Sequence, residues 1–397
     1  MAAYVSAGID IGTQNIRVGV ALGVVPGEYP LPKMLGFGTA ESKGLRQGCV
    51  VERKEVLKNV LQAVRSLEKN TGIRIKNVSL AAGGIGLESF FSSAETVVSR
   101  ADLEVTELDI NKLKDACEKN IPSNILLNKR ILHVIPILYK LDSKTVLGDP
   151  VGMKGAKLEV RCLFISIMEK YLDELIEIIE EGGIETVDVV ASPLAASLVL
   201  LSKQQKKAGC ALVDIGAETV SVIVFENNTP ISLEVFPTGG NHITNDIALG
   251  LKISLEEAEH IKTGGLTAAS YPRKKLDEII EARLSDIFDM IDGHLKKINR
   301  SGLLPAGVIF SGGGSNVSGI DELARSYLKL PAKVASIQKN EQGALKSNHI
   351  TIKDAAWAPV YGVCLLGSNV SAEEGRIYHV AQKAGRRIKR ILKQFLP

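Results

Sequence analysis

Apolar residues in the first part of the chain come in strand-length runs, not at helical intervals. Residues 5–11 and 16–22 are two such runs, separated by the turn Gly12-Thr13-Gln14-Asn15, and a third apolar stretch lies at 35–38. The period then changes. In residues 53–67, Val56, Val60, Leu61, Val64 and Leu67 fall on one face, which predicts an amphipathic helix. A short buried strand at 78–82 follows. From about 86 to 165, strand-like runs at 96–98, 131–138 and 158–164 mix with one helix at 110–118, the pattern of a compact α+β insertion. Residues 171–181 form a second amphipathic helix, ending at Gly182-Gly183 where glycine can cap it.

About 200 residues after the first start comes a second one. Residues 211–215, the turn Gly216-Ala217-Glu218-Thr219 and residues 220–225 repeat the strand–turn–strand unit. A repeat of this size predicts two like domains facing across a cleft. Helical patterns follow at 242–251, 254–262 and 275–298. A strand at 307–310 then runs into Ser311-Gly312-Gly313-Gly314-Ser315 and a helix at 320–327. Residues 368–382 are polar and unpatterned, the character of a flexible linker.

Composition adds limits. With 397 residues, 45% of them hydrophobic, 23% charged and 5% aromatic, the chain can bury two substantial cores. Its five cysteines are scattered without a CxxC pair, as suits idle thiols in a reducing cytoplasm. Its six histidines show no metal-binding spacing. The longest apolar runs, around 189–201 and 355–370, each contain a proline and fall short of the ~20 residues a membrane span needs.

The net charge of +3 is unevenly placed. Lys383, Arg386, Arg387, Lys389, Arg390 and Lys393 stand in the last fifteen residues with no acid among them, which leaves the body mildly acidic. That argues against a general nucleic-acid binder and directs attention to the tail. There Ile388, Ile391, Leu392, Phe395 and Leu396 fall at offsets 0, 3, 4, 7 and 8, with the cations on the other side. A helix of this kind lies in a membrane interface, its basic residues among anionic headgroups. A helix packed on the body, or a calmodulin-like target, would share the apolar stripe. The packed helix would not need six cations.

The two turns carry the candidate chemistry. Asp10-x-Gly12-Thr13 and Asp214-x-Gly216-x-x-Thr219 each put an aspartate at a strand end and small residues in the turn. Glycine lets backbone N–H groups approach a phosphate closely, a hydroxyl can donate to its oxygens, and a carboxylate can hold Mg²⁺ through waters. One such turn is ordinary hairpin chemistry. Two of them, opening two like halves, point to a phosphate ligand between the halves. Three consecutive glycines after a buried strand, at 312–314, would let a flat ligand approach the backbone.

In order and spacing, these three elements resemble the phosphate and adenosine loops of the actin/Hsp70/sugar-kinase superfamily, at 7–18, 212–224 and 307–320. Within it the chain is similar to the FtsA family, bacterial division adaptors that tether FtsZ filaments to the membrane. Further stretches carry the likeness: Leu132-His-Val-Ile-Pro136, Asp149-Pro-Val-Gly-Met-Lys-Gly155, Gly239-Gly-Asn-His-Ile-Thr-Asn-Asp-Ile247 and Glu256-Glu-Ala-Glu-His-Ile-Lys262. The resemblance implies an α/β, two-domain actin-like (ribonuclease H-like) ATPase fold, with an α+β inserted subdomain replacing the usual actin 1B subdomain. Residues 1–84, 166–208 and 355–367 would form the first actin-like domain and 85–165 the 1C-like insertion. Residues 209–354 would form the second domain, its smaller subdomain at about 228–303. A linker at 368–382 and a membrane-targeting helix at 383–397 would follow.

For the ligands, the resemblance implies ATP and Mg²⁺. Asp10, Gly12, Thr13, Gln14 and Asn15 would surround the β- and γ-phosphates, faced by Asp214, Gly216 and Thr219, with the two aspartates holding Mg²⁺ through water. Gly239, Gly240 and Asn241 would border the phosphates. Glu259 and Lys262 would reach ribose and base, and Gly312, Gly313, Gly314 and Ser315 would line the adenosine. Without the family, Glu259 and Lys262 are an ordinary solvated helical pair. Arg387, Ile388, Ile391, Leu392, Phe395 and Leu396 would meet the membrane. Lys296, Lys297 and Arg300, at the end of a long helix, would receive the acidic FtsZ C-terminal tail, although a helix dipole explains the same cations. Other expected partners are further copies of the chain, forming a filament, and later division proteins at the insertion; nucleic acid is not expected. The protein would sit peripherally on the cytoplasmic face of the membrane at the division site.

Two departures bear on chemistry. Relatives commonly have Gly-Gly-Gly-Thr where this chain has Gly216-Ala217-Glu218-Thr219, so Glu218 adds negative charge near the phosphates unless it points away or binds through Mg²⁺. Ser192 stands where Hsp70-like ATPases hold a glutamate, and serine positions an attacking water poorly. Weak or negligible ATP turnover is therefore expected. Two other readings share the fold: a small-molecule kinase or phosphatase, and a PilM-like pilus scaffold.

Overall fold

The computed structural model describes residues 5–22, 32–265, 271–337 and 354–368. The chain begins with β1 (Val5–Ile11) and β2 (Asn15–Leu22), an antiparallel hairpin in register from Val5↔Leu22 to Ile11↔Ile16. β3 (Lys33–Glu41) pairs beside β2, and the small hairpin of β4 (Leu45–Arg46) and β5 (Cys49–Val50) follows. The predicted helix at 53–67 is α1 (Arg53–Thr71), stopped by Gly72 in the left-handed region. Its apolar face covers β3, where glycine at position 38 allows the helix backbone in close: a Cβ there would stand 2.7 Å from the Leu67 nitrogen. β6 (Asn77–Ala82) then joins β1 in parallel.

The insertion comes next. It contains β7 (Glu88–Val97), α2 (Glu107–Lys119), the single turn α3 (Ser123–Leu126), β8 (Lys129–Leu141), β9 (Lys144–Val146) and β10 (Lys157–Met168). Its antiparallel sheet, in order β7-β10-β8-β9, has α2 on one face and a core that includes Leu113, Leu158 and Phe164. The Thr106 hydroxyl and the Asp109 carboxylate cap α2 reciprocally. The chain returns through α4 (Glu169–Glu181), β11 (Glu185–Ala191) and α5 (Ser192–Leu200). β11 completes the first five-stranded sheet, in order β11-β6-β1-β2-β3.

After α6 (Lys203–Ala208) the second half repeats this plan. β12 (Cys210–Ile215) and β13 (Val220–Glu226) form the twin hairpin, β14 (Thr229–Phe236) pairs outside β13, and β15 (Val308–Ser311) joins β12 in parallel. Between β14 and β15 lie α7 (Gly240–Leu251), α8 (Leu255–Lys262) and the long α9 (Arg273–Lys297). α10 (Ile320–Leu328) and β16 (Ala332–Val334) finish the sheet, ordered β14-β13-β12-β15-β16. From hairpin to outer parallel strand, the two sheets have the same sequence of pairings. The fold is therefore the two-domain actin-like arrangement with an inserted α+β subdomain.

The described chain ends with α11 (Ala358–Ser368), which packs on α5 and β1. Both helices are apolar on all sides, so neither shows the periodicity that marked α1 and α4. No helix among the described residues is long and apolar enough to cross a membrane.

One buried histidine ties the insertion to the first sheet. His133 on β8 is 3% exposed, and its Nε2 accepts from the Ala191 N–H at 3.0 Å, one residue before α5. Loss of hydration pushes its pKa down to about 3 from 6.5. Between those values the unfolded chain takes up a proton that the folded chain refuses, so stability falls as pH drops from about 6.5. The His133→Gln variant, which keeps an acceptor, should therefore lose less stability between pH 6.5 and 4 than the parent. The difference in slope should approach about 1.4 kcal/mol per pH unit, read from denaturant unfolding at several pH values.

A cleft between the twin hairpins

The two hairpin turns face each other across one cavity of about 120 Å³, open on one side. The turns are built alike. The Gly12 N–H donates to the Asn15 carbonyl at 3.2 Å, and the Gly216 N–H donates to the Thr219 carbonyl at 2.8 Å. Asp10, Gly12, Thr13, Gln14 and Asn15 line the cavity from the first domain, and Asp214, Gly216 and Thr219 from the second. Gly312 and Gly313 form one wall; Ser192, at the start of α5, forms part of the first-domain side with Gly83 and Gly84.

Charge decides what such a cavity can hold. Burial first, and the Asp214 charge second, raise the Asp10 carboxyl to about 7 against the pull of Arg17. Asp214 is raised by its own burial, opposed by a hydrogen bond from the Ser311 hydroxyl at 3.2 Å and by Arg17, while Asp354 adds repulsion. Two desolvated carboxylates line one site, and Asp214 lifts the proton affinity of Asp10, so the pair calls for a cation. Hard oxygen donors suit Mg²⁺. The walls suit a phosphate chain, since main-chain atoms and small residues leave room beside both turns. These residues fit Mg²⁺ and a phosphate chain.

Arg17 was missed from the sequence. Its register partner across the hairpin is Asp10, so both side chains project from the same face of the sheet, and its guanidinium lies 5.8 Å from the Trp357 ring centre. The antiparallel pairing of a short DxG hairpin was the available signal: the residue seven after Asp10 must return beside it.

Other expected residues stand behind the cavity wall. The N–H groups of Gly240 and Asn241 donate to the Gly216 and Ala217 carbonyls at 2.9 and 2.8 Å, so they brace the second turn from outside. A Cβ on Gly239 would stand 2.6 Å from the Gly216 oxygen. Glu259 and Lys262 are not the solvated pair that their spacing alone suggests. Lys262 is 8% exposed, and its Nζ donates to Glu259 Oε2 at 2.6 Å, the Thr244 hydroxyl at 2.9 Å and the Gly240 carbonyl at 3.2 Å. The pair fixes α8 to α7 beside the second turn and Gly314. Ser315 closes its own loop by donating to the Gly312 carbonyl at 2.7 Å.

Lys296, Lys297 and Arg300 lie away from the cleft. Lys296 pairs with Asp292 at 2.7 Å, and Arg300 grips Glu226 through Nε and Nη2 at 3.1 and 2.6 Å. These contacts employ two of the three cations within the chain. Arg387, Ile388, Ile391, Leu392, Phe395 and Leu396 lie outside the described residues.

Two family models match the chain: "Cell division protein FtsA" over residues 211–390, and the "SHS2 domain inserted in FTSA" over residues 84–166. Among curated proteins, the cell division protein FtsA of Bacillus subtilis is 28% identical over 94% of this chain and 85% of its own length. That of Neisseria meningitidis serogroup B is 28% identical over 94% and 92%. The chain belongs to the FtsA family. The second match covers the insertion between β6 and α4, so the FtsA hallmark falls where the first sheet is interrupted. Among solved structures, a chain of the PilM–PilN type IV pilus biogenesis complex superposes with TM-score 0.65 at 16% identity, over 92% of this chain and 99% of that one. MreB5 of Spiroplasma citri bound to AMPPNP superposes with TM-score 0.50 at 13% identity, over 97% and 100%. These likenesses are of fold, and it is the FtsA assignment that favours a division role over the kinase and pilus readings.

Two adjacent glycines separate folding from access. Gly312 has φ +84, and a Cβ there would strike the Ile215 carbonyl and come within 2.8 Å of Asp214 Oδ1. Gly313 lines the cavity, and a Cβ on it would meet nothing. Gly312→Ala should lose roughly 2 to 4 kcal/mol of stability, whereas Gly313→Ala should keep its Tm and alter only ligand binding in the cleft. Thermal unfolding of the two variants side by side tests the contrast.

Proposed function

We propose that the chain is an ATP-binding, self-polymerising adaptor that tethers FtsZ filaments to the cytoplasmic face of the membrane during division. The observation that carries the nucleotide part is the pair of matching Asp-Gly turns facing one cavity, with both carboxylates desolvated. The nucleotide supplies a polyanion with its Mg²⁺ that both domains can grip at once. Asp10 and Asp214 hold the metal through its waters. Thr13, Thr219 and the turn N–H groups meet the phosphates, and Arg17 adds a fixed positive charge from the first hairpin. MreB5, a protein of like fold, was solved with ADP and with AMPPNP, which supports an adenine nucleotide. Ser192 offers no carboxylate to orient water, so the nucleotide acts as a conformational ligand with little turnover.

The family supports the division role. A single amphipathic helix at 383–397 would bind membrane weakly and reversibly, and a filament would couple many such anchors into a firm attachment. The basic end of α9 is the candidate dock for an acidic FtsZ tail, with Lys297 the readiest contact because Lys296 and Arg300 already hold acids. Later division proteins would meet the insertion.

Two measurements test this reading. Asp10→Asn and Asp214→Asn should each weaken Mg-ATP binding at least tenfold, and Arg17→Gln should weaken it in the absence of Mg²⁺ as well, as titration calorimetry would record. The full chain should pellet with anionic liposomes, more sharply with Mg-ATP, while a chain ending at Gln382 should stay in the supernatant. Equal pelleting of the two chains would remove the tail from the mechanism.

A further inference from the structure

At the border of the cavity, side chains cross from one domain to the other in two places. Glu218 stands between two cavity-lining residues, Ala217 and Thr219, yet its Oε2 accepts from the Gln47 N–H of the first domain at 2.6 Å. Gln47 precedes the cavity-lining Gly48, and its carbonyl accepts from the Ile85 N–H at 3.0 Å. The second crossing lies further along the segment that begins there. On β7, the Ser89 hydroxyl donates to the Leu233 carbonyl at 3.0 Å and accepts from the Leu233 N–H at 2.6 Å. Leu233 belongs to β14, the outer strand of the second domain's sheet, so one side chain satisfies both main-chain groups on its open edge. Leu87, two residues before Ser89, and Val235, two residues after Leu233, both line the cavity. Each crossing thus lies within two residues of the cavity wall on either side.

Resting on the nucleotide reading above, we propose that these two crossings clamp the domains together whether or not the cleft is filled, and so set how fast its ligand exchanges without setting how tightly it is held. The turns that grip a phosphate chain belong to different domains, so release means parting them. Parting them at this border takes Glu218 from Gln47 and Ser89 from Leu233, and neither bond survives. The carboxylate makes the stronger tie, because a charged acceptor roughly doubles the strength of a hydrogen bond. The empty and the filled closed forms both keep the bonds, so the bonds cancel from the affinity. They remain in the cost of the open state, through which the ligand enters and leaves. β7 is the first strand of the insertion and packs on β14, so opening the cleft also lifts the insertion from the second domain. Glu218 and Ser89 are positioning residues that act on the ligand through the two domains.

Stopped-flow binding and release of a fluorescent ADP with Mg²⁺, on the full chain and its variants, tests the clamp. Ser89→Ala and Glu218→Ala should each raise the association and dissociation rates together by about tenfold, with Kd kept within about threefold. Glu218→Gln retains an oxygen that can accept from Gln47, so its rates should stay within about threefold of the parent's. That variant separates a clamp from simple repulsion of the ligand. Loss of repulsion would act alike in Glu218→Gln and Glu218→Ala, and would tighten binding in both. Hydrogen exchange of the ligand-free chain gives a readout without nucleotide. The Gln47 and Leu233 amides should be protected in the parent, and each should exchange at least about tenfold faster once its partner is replaced by alanine. Unchanged rates in both alanine variants, or equal gains with tighter binding in Glu218→Gln and Glu218→Ala, overturn the proposal while nucleotide binding stands. Should the variants fail to fold, rapid exchange of both amides in the ligand-free parent overturns it alone. A folded parent that binds no nucleotide overturns the nucleotide reading and the role in exchange, whereas protection of the two amides would still support a closed pair of domains.

Discussion

Two carboxylates held out of water and facing each other set the terms for the rest of this molecule. Asp10 and Asp214 sit at equivalent places on twin hairpins, and burial pushes both towards the protonated form. No fold gains stability from such an arrangement unless something positive comes between the two. Arg17 supplies part of that charge from within the first hairpin. The surroundings follow from the same demand: a serine hydroxyl donates to Asp214, and main chain without side chains forms the neighbouring wall.

The second turn shows how its shape is enforced. Its carbonyls at Gly216 and Ala217 accept from the first residues of α7, and the buried Lys262–Glu259 pair fixes α7 to α8. Lys262 reaches Gly240 with the same amino group that pairs with Glu259. Disturbing that pair would leave a buried charge unmatched and would loosen the helix that supports the turn, so its influence on the cleft runs through backbone position.

The parts of this design that were legible in the sequence are those written in local periodicity. The hairpins, the glycine run after β15, and helices α1, α4, α7 and α9 announce themselves because one face is apolar or one turn needs small residues. The helices α5 and α11 did not, since a helix buried on all sides has no polar face to create a period. β14 was missed for a related reason: it follows β13 after only a two-residue turn at Asn227 and Asn228, without a glycine to mark it. Within the cleft, Asp10 and Asp214 were found from their turns. The burial of Lys262 was not, because helical spacing reports that two charges can meet and says nothing of what covers them. The Glu218–Gln47 bond joins residues 171 positions apart, so only the folded chain brings them together.

The last described helix has a mechanical meaning. α11 is seated on the central hairpin by close approach: a Cβ on Gly8 would strike Val363, one on Gly19 would stand 2.7 Å from Val360, and one on Gly362 would strike the Ala195 backbone in α5. Trp357, just before it, packs edge-on against Phe37 at 4.9 Å between ring centres. A helix keyed into a sheet this way resists being peeled off from its end. Tension applied through the residues that follow Ser368 is therefore delivered to the strands carrying Asp10 and Arg17, and the floor of the cleft becomes the part of the molecule that bears the pull.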